Sequence, residues 1–236
     1  MTDSTADQVW LFGSYARGDA DVASDIDILC IGEIKDRGAI ERIAVTKGLP
    51  IDRLDIAFYT REAIEGLASK GSLFTWHLRD EGRPIYTRSQ WLRKSLRKMP
   101  RYASHVADLQ VLQTLLHDVE DSLCTSANST IYDAGIIGTV IRNTGIIVTD
   151  FLGAADYSPY APMSISALEP RLKPPVRDEE YDVLLSCRRA SERPLPMDQL
   201  DLRASITTPE CLVSAAKNWL ADCINYLTCQ GVRYVQ

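Results

Sequence analysis

Histidine is scarce: a chain of 236 residues contains three, at 77, 105 and 117, which argues against a histidine-based metal centre or nucleophile. The six cysteines, at 30, 124, 187, 211, 223 and 229, show no Cys-x-x-Cys spacing and stand mostly in apolar segments. They are expected to be buried or half-buried reduced thiols, which excludes a zinc site and a disulfide framework. No apolar run reaches the ~18 residues that a membrane span requires. The nearest, 134–152, is interrupted by Arg142, Asn143 and Asp150, so no membrane partner is expected. The first eight residues are polar and acidic, unlike a secretory leader, and a cytoplasmic location is the expectation. Internal repeats and low-complexity tracts are missing too. Positive charge is in deficit: a net charge of −6 weighs against a protein that coats nucleic acid. One stretch runs the other way, since 88–101 carries Arg88, Arg93, Lys94, Arg97, Lys98 and Arg101 with no acidic residue among them.

What is present is concentrated between Phe12 and Leu29. A short apolar run, Val9 to Phe12, ends in Gly13-Ser14; after a spacer of ten residues come Asp25 and Asp27, alternating with Ile26 and Ile28. On a strand, where the side-chain period is 2, the two aspartates share one face and the two isoleucines the other. A carboxylate pair set among Ile and Leu costs several kcal/mol, of order, to desolvate unless a cation or other partner offsets it. Gly13 allows backbone to approach an anion without a Cβ in the way, and the Ser14 hydroxyl and neighbouring N–H groups can donate to it. A third carboxylate, Asp55, lies in the apolar strand-like run Arg53 to Tyr59. A Gly-Ser pair alone is only a turn, and Asp-x-Asp alone is often a solvated strand edge; the conjunction is what carries information.

Gly13-Ser14, the spacer with Arg17 and Gly18, and Asp25-Ile26-Asp27 resemble the signature of the polymerase-beta-type nucleotidyltransferases, and Gly-Ser-Tyr-Ala-Arg-Gly is similar to their minimal bacterial branch. The resemblance covers roughly residues 9 to 88 and is faint beyond. It implies that Gly13, Ser14, Arg17 and Ser24 bind the nucleotide and that Asp25, Asp27 and Asp55 are the metal-binding and catalytic residues. It further implies two Mg²⁺ ions and an NTP donor, ATP being the commonest case. Asp55 would accept the acceptor's proton, helped either by an apolar shell that raises its pKa or by the metals.

The chain in order predicts an α+β protein: a mixed-sheet catalytic domain over 1–88, then an all-α helical bundle over 89–236. Residues 1–8 leave no room for the helix that usually precedes the first strand in this family. They are expected to be weakly ordered, with the C-terminal half or a second subunit covering the exposed flank of the sheet. A helix within 34–47, stopped at Gly48, should connect the Asp27 strand to the Asp55 strand and set the two side by side. Thr60 reads as an N-cap, Ser72 to Asp80 as a short helix, Glu81 to Pro84 as a turn, and Ile85-Tyr86 as a last strand. Residues 89–98 form a basic helix that is either a solvated linker or a positive wall near the site. Helices follow at 102–124 and 131–151, the second apolar on most sides and suited to a bundle centre. Five prolines make 154–175 a long loop with at most short helical turns; further helices run over 179–191, broken by Pro194 and Pro196, and from Pro209 to about 229.

The helical part lacks the Arg-x4–6-His motif of related helical ribonuclease domains, so an acceptor-binding or oligomerising role is expected of it; Arg142 reads as a structural residue. The functional expectation is transfer of a nucleoside monophosphate to a hydroxyl acceptor, a small molecule or a partner protein, with release of pyrophosphate. Two alternatives remain open. One is a non-catalytic nucleotide-binding antitoxin or interaction module; the other is a tRNA-modifying transferase, which the acidic charge weighs against.

Overall fold

Apolar residues fill both phases of the alternation from Ile26 to Ile31, the pattern of a strand buried on both faces. In the computed structural model, described for residues 6–21, 24–33, 36–125, 130–192 and 208–233, this is so. Strand β2 (Ile26–Gly32) is an inner strand of a four-stranded sheet ordered β3-β2-β1-β4, with β1 at Ala6–Phe12, β3 at Leu54–Tyr59 and β4 at Arg83–Thr87. β1 runs antiparallel to β2 and to β4, whereas β2 and β3 are parallel. A parallel neighbour needs a crossover, supplied by α2 (Arg37–Thr46) and a 3-10 turn at Ile51–Arg53.

Two apolar layers sandwich the sheet. On one face Ile26, Ile28 and Cys30 pack with Val9, Leu11, Ala16, Ile40 and Ala44, the last three brought by α1 (Gly13–Arg17) and α2. On the other, Trp10, Leu29 and Ile31 meet Ile64 of α3 (Arg61–Ser69), Leu78 of α4 (Leu73–Glu81), and Leu92 and Leu96 of α5 (Trp91–Lys98). Side-chain caps start the covering helices, that at Thr60 as expected: Asp36 accepts from Ala39 N–H at 2.9 Å, Thr60 from Ala63 at 3.2 Å and Ser72 from Thr75 at 3.3 Å.

Several expectations are corrected here. Residues 6–8 belong to β1, with Ala6 and Gln8 buried; residues 1–5 lie outside the described residues. The second flank of the sheet is covered from within the same unit by α3, α4 and α5. β4 takes in Arg83 and Pro84, which were expected to be turn; Pro84 is tolerated because β4 is an edge strand, and the register shifts between Val9 and Trp10 opposite it. The basic helix is neither linker nor merely a wall: Leu92 and Leu96, one turn apart, are fully buried while Arg93, Lys94, Arg97 and Lys98 face solvent. The compact N-terminal unit accordingly runs to Ala103, past residue 88.

The second unit, from Ser104, consists among its described residues of helices: α6 (His105–Thr125), α7 (Thr130–Phe151), α8 (Ala161–Leu168), α9 (Asp178–Glu192) and α10 (Pro209–Arg233), with a 3-10 turn at Pro170–Leu172. α7 packs against all four other helices, and Ile137, Val140, Ile141 and Val148 are buried. By length and hydropathy α7 alone among the described helices could cross a membrane, but 67% of its apolar window is already buried in the protein, which marks it as the centre of the bundle. The stretch read as a long loop is largely packed structure. Pro162, at the start of α8, sits against Gly145 of α7, where an added Cβ would lie 2.4 Å from the proline nitrogen. Arg142 donates to the Tyr157 carbonyl at 3.2 Å, in keeping with its structural reading. Positions 194 and 196 lie outside the described residues. Cys30, Cys187 and Cys223 are buried free thiols, whereas Cys124, Cys211 and Cys229 are exposed. Burial pushes the Cys30 and Cys187 thiols up to about 11 and that of Cys223 to about 12.

The placement of α5 has a measurable consequence. Leu92→Ala is expected to cost about 2–5 kcal/mol in urea unfolding. Arg93→Ala, one residue along on the solvent side, should stay within about 0.5 kcal/mol of wild type. Equal and small effects would make the helix a linker after all.

Candidate active site

β1 ends at Phe12, whose register partner on β2 is Asp27. The next residue, Gly13, has φ +69°, and a Cβ built on it would stand 2.1 Å from Asp27 Oδ2. Only glycine allows the chain to turn into α1 while lying against that carboxylate. The short helix closes on Gly18, in the left-handed region at φ 91°, whose N–H donates to Ser14 O at 2.8 Å. The Gly13-Ser14 turn and the carboxylate strand are therefore one local structure.

The parallel ladder then brings in Asp55. Its Cα partner is Asp27, so the two side chains stand on the same face of adjacent strands, whose backbones run about 4.8 Å apart. Asp25 lies one residue before β2, where pairing begins at Ile26↔Leu54; it is half-buried, with Oδ1 screened from solvent. Asp55 is exposed. That departs from the apolar shell expected around it, because β3 is an edge strand and Asp55 stands near its open start. Ser24 belongs to a turn: its hydroxyl donates to Asp21 Oδ1 at 2.7 Å and accepts from the Asp21 N–H at 2.9 Å.

Two side chains brace α1. On one side Arg53 donates to the Tyr15 hydroxyl and lies over its ring, 5.7 Å from the centroid, linking α1 to the start of the Asp55 strand. On the other, Arg17 donates through Nε to Asp19 Oδ2 at 3.0 Å and through Nη1 to Glu81 Oε2 at 2.8 Å. The same Glu81 oxygen lies 2.9 Å from His77 Nε2, and the His77 ring packs edge-on against Phe12 at 5.7 Å between centroids. The side chains of Arg17, Glu81 and His77 are 18%, 15% and 14% exposed, so the cluster is screened from bulk water. Burial alone would raise the Glu81 carboxyl; hydrogen bonds from His77 and Arg17 outweigh it and hold the group below the usual carboxylate range. Burial opposes the charge on Arg17, and Asp19 and Glu81 more than restore it, so its pKa is raised. Sequence reading assigned Glu81 to a turn and gave His77 no part. Their i,i+4 spacing on a helix was the available signal.

A divalent cation suits this donor set in kind: carboxylate oxygens from Asp27 and its ladder partner Asp55, beside a turn that has no Cβ to intrude. The expected convergence of three carboxylates is not reached, however. Among the described residues no group of three or more His, Cys, Asp or Glu side chains could hold a metal ion as they stand.

Residues 3–75 match a family model described as a nucleotidyltransferase domain. No curated protein matches the chain. Among solved structures, the chain is similar to a nucleotidyltransferase-like protein from Exiguobacterium sibiricum 255-15, with 13% identity and a TM-score of 0.37 over 99% of this chain and 73% of that one.

Two substitutions probe the geometry. Gly13→Ala should cost about 1–2 kcal/mol or more in thermal unfolding, from its positive φ and from the clash with Asp27. Gly66→Ala, inside α3 with nothing within 4 Å of the new Cβ, should instead stabilise by about 0.5–1 kcal/mol. A second measurement concerns pH. Because the folded-state pKa of Glu81 is depressed, its contribution is present above the unfolded value of about 4.3 and is lost as pH falls through the lower folded value. The stability difference between wild type and Glu81→Gln should therefore be largest above about pH 5 and shrink below about pH 4. A difference that stayed constant across that window would remove the ionic role.

Proposed function

We propose, from the match of residues 3–75 to a family model described as a nucleotidyltransferase domain, that the protein is a Mg²⁺-dependent enzyme that transfers AMP from ATP to a hydroxyl acceptor and releases pyrophosphate. The supporting observation is the Gly13 contact with Asp27 together with the Asp27↔Asp55 ladder pair. In this reading the nucleotide's phosphates lie against the Gly13-Ser14 turn and Arg17, while Ser24 shapes the turn that delivers Asp25. Asp25, Asp27 and Asp55 would hold two divalent cations, which when bound neutralise charge on the attacking and leaving oxygens. Asp55 takes the proton of the acceptor hydroxyl as that oxygen bonds to the α-phosphorus and the bond to the bridging oxygen of pyrophosphate breaks. Its exposure at the sheet edge suits a group that must meet an incoming acceptor. Most of the rate enhancement comes from holding the reactants in line.

The acceptor in this reading is a small molecule or a partner protein's side chain in the cytoplasm, and the helical unit serves to bind it or to oligomerise. A tRNA acceptor runs against the net charge of −6. A second reading, a nucleotide-binding module without catalysis that acts by occupying a partner, draws on the position of Asp25 outside the ladder.

Incubation of the protein and cell extract with α-labelled ATP and Mg²⁺ separates the two. Label should pass from ATP to an acceptor in wild type and be lost in the Asp25→Ala/Asp27→Ala variant, with circular dichroism unchanged. Equal labelling by the double variant would sink the site; wild type that binds ATP yet neither labels nor releases pyrophosphate would favour the binding module.

A further inference from the structure

Arg17 is the cation nearest in sequence to the phosphate turn, and it is not waiting in solvent. Two carboxylates already hold two of the three nitrogens of its guanidinium: Asp19 takes Nε and Glu81 takes Nη1. A guanidinium carries five N–H donors in a planar fork. With Nε and one N–H of Nη1 engaged, both N–H groups of Nη2 and the second of Nη1 remain for an oxyanion. Glu81 is in turn tied by the same oxygen to His77, four residues earlier on α4, and His77 is seated on Phe12, the residue that precedes Gly13. A closed circuit therefore runs from the phosphate turn through Arg17, Glu81, His77 and Phe12 back to the turn.

We infer that Glu81 is a positioning residue for nucleotide binding: it pre-orients the Arg17 fork so that Nη2 meets a phosphate of the bound triphosphate. This rests on the nucleotidyltransferase reading above. Ordering an arginine only when the ligand arrives would charge that entropy loss to binding; fixing it beforehand moves the loss to folding. The opposing effect is electrostatic, since Glu81 and Asp19 both place negative charge near a triphosphate. The two effects have opposite signs on affinity, which makes the assignment testable. A role limited to tying α4 to α1 would lower the melting temperature and leave affinity for nucleotide unchanged.

The experiment is calorimetric titration of the full chain with the α,β-methylene analogues of the four nucleoside triphosphates and Mg²⁺, in wild type, Glu81→Ala, Glu81→Gln, Arg17→Ala and Glu81→Ala/Arg17→Ala, each with its melting temperature. Glu81→Ala is expected to weaken binding about tenfold, and the double variant to bind no more weakly than Arg17→Ala alone. Glu81→Gln, which keeps an acceptor oxygen, should stay within about threefold of wild type. Should Glu81→Ala fail to fold, Arg17→Lys carries the test. It keeps the charge but has no fork to share between carboxylate and phosphate, and it should also lose about tenfold. Wild-type or tighter binding by Glu81→Ala, additive losses in the double variant, or wild-type binding by Arg17→Lys would each overturn the assignment while leaving the transferase reading intact. If wild type binds none of the four analogues, both fall together.

Discussion

The whole site hangs on a missing methyl group. At Gly13 the backbone passes so close to Asp27 that a Cβ would overlap the carboxylate oxygen at 2.1 Å, and φ of +69° makes the position unfavourable to other residues in any case. From this contact the other geometry follows. β1 can end opposite Asp27 and turn at once into α1, and the β2–β3 ladder fixes which residue of the edge strand stands beside Asp27. Tyr15 and Arg17 extend to opposite sides of the turn, to Arg53 and to Glu81, and hold it where Gly13 permits it to be.

Precision at the charged end of β2 depends on the apolar remainder of the strand. Ile26, Ile28, Leu29 and Ile31 have no solvent exposure and pack into two different layers, so a one-residue slip would exchange both layers at once. Register is thus strongly specified, and with it the Asp27↔Asp55 pairing. α5 contributes to the same end from a distance: by covering the second face with Leu92 and Leu96 it completes the layer under Leu29 and Ile31. Its arginines and lysines stay outside, so the helix keeps a basic surface at no cost to the core.

Much of this was readable from residue order, and what was not has identifiable causes. Alternation in β2, the Gly-Ser turn, the cap at Thr60 and the apolar α7 all act through neighbours in sequence, and all appear where expected. The failures concern properties set by spatial neighbours. Leu54, Ile56 and Phe58 suggested a buried Asp55, but burial of a strand residue depends on whether another strand lies beyond it, and β3 is at the edge. Charge hid the Leu92/Leu96 pair of α5. The prolines of 154–175 suggested a loop, although Pro162 begins a helix, where a missing N–H costs nothing. Glu81 pairs with a residue 64 positions away, a contact no local pattern announces.

The three aspartates are not equivalent, and the distinction follows from the backbone. Asp27 and Asp55 are in the ladder, where displacing either one strains hydrogen bonds on a neighbouring strand and disturbs two packed layers. Asp25 precedes the first paired residue and follows the Asp21–Ser24 turn on the surface. Its backbone is therefore placed by the turn before it and not by ladder pairing. Two of the three aspartates are thus set by strand register and the third by a local turn. A change in the β2–β3 pairing would therefore move Asp27 and Asp55 relative to each other, whereas Asp25 answers first to its local turn.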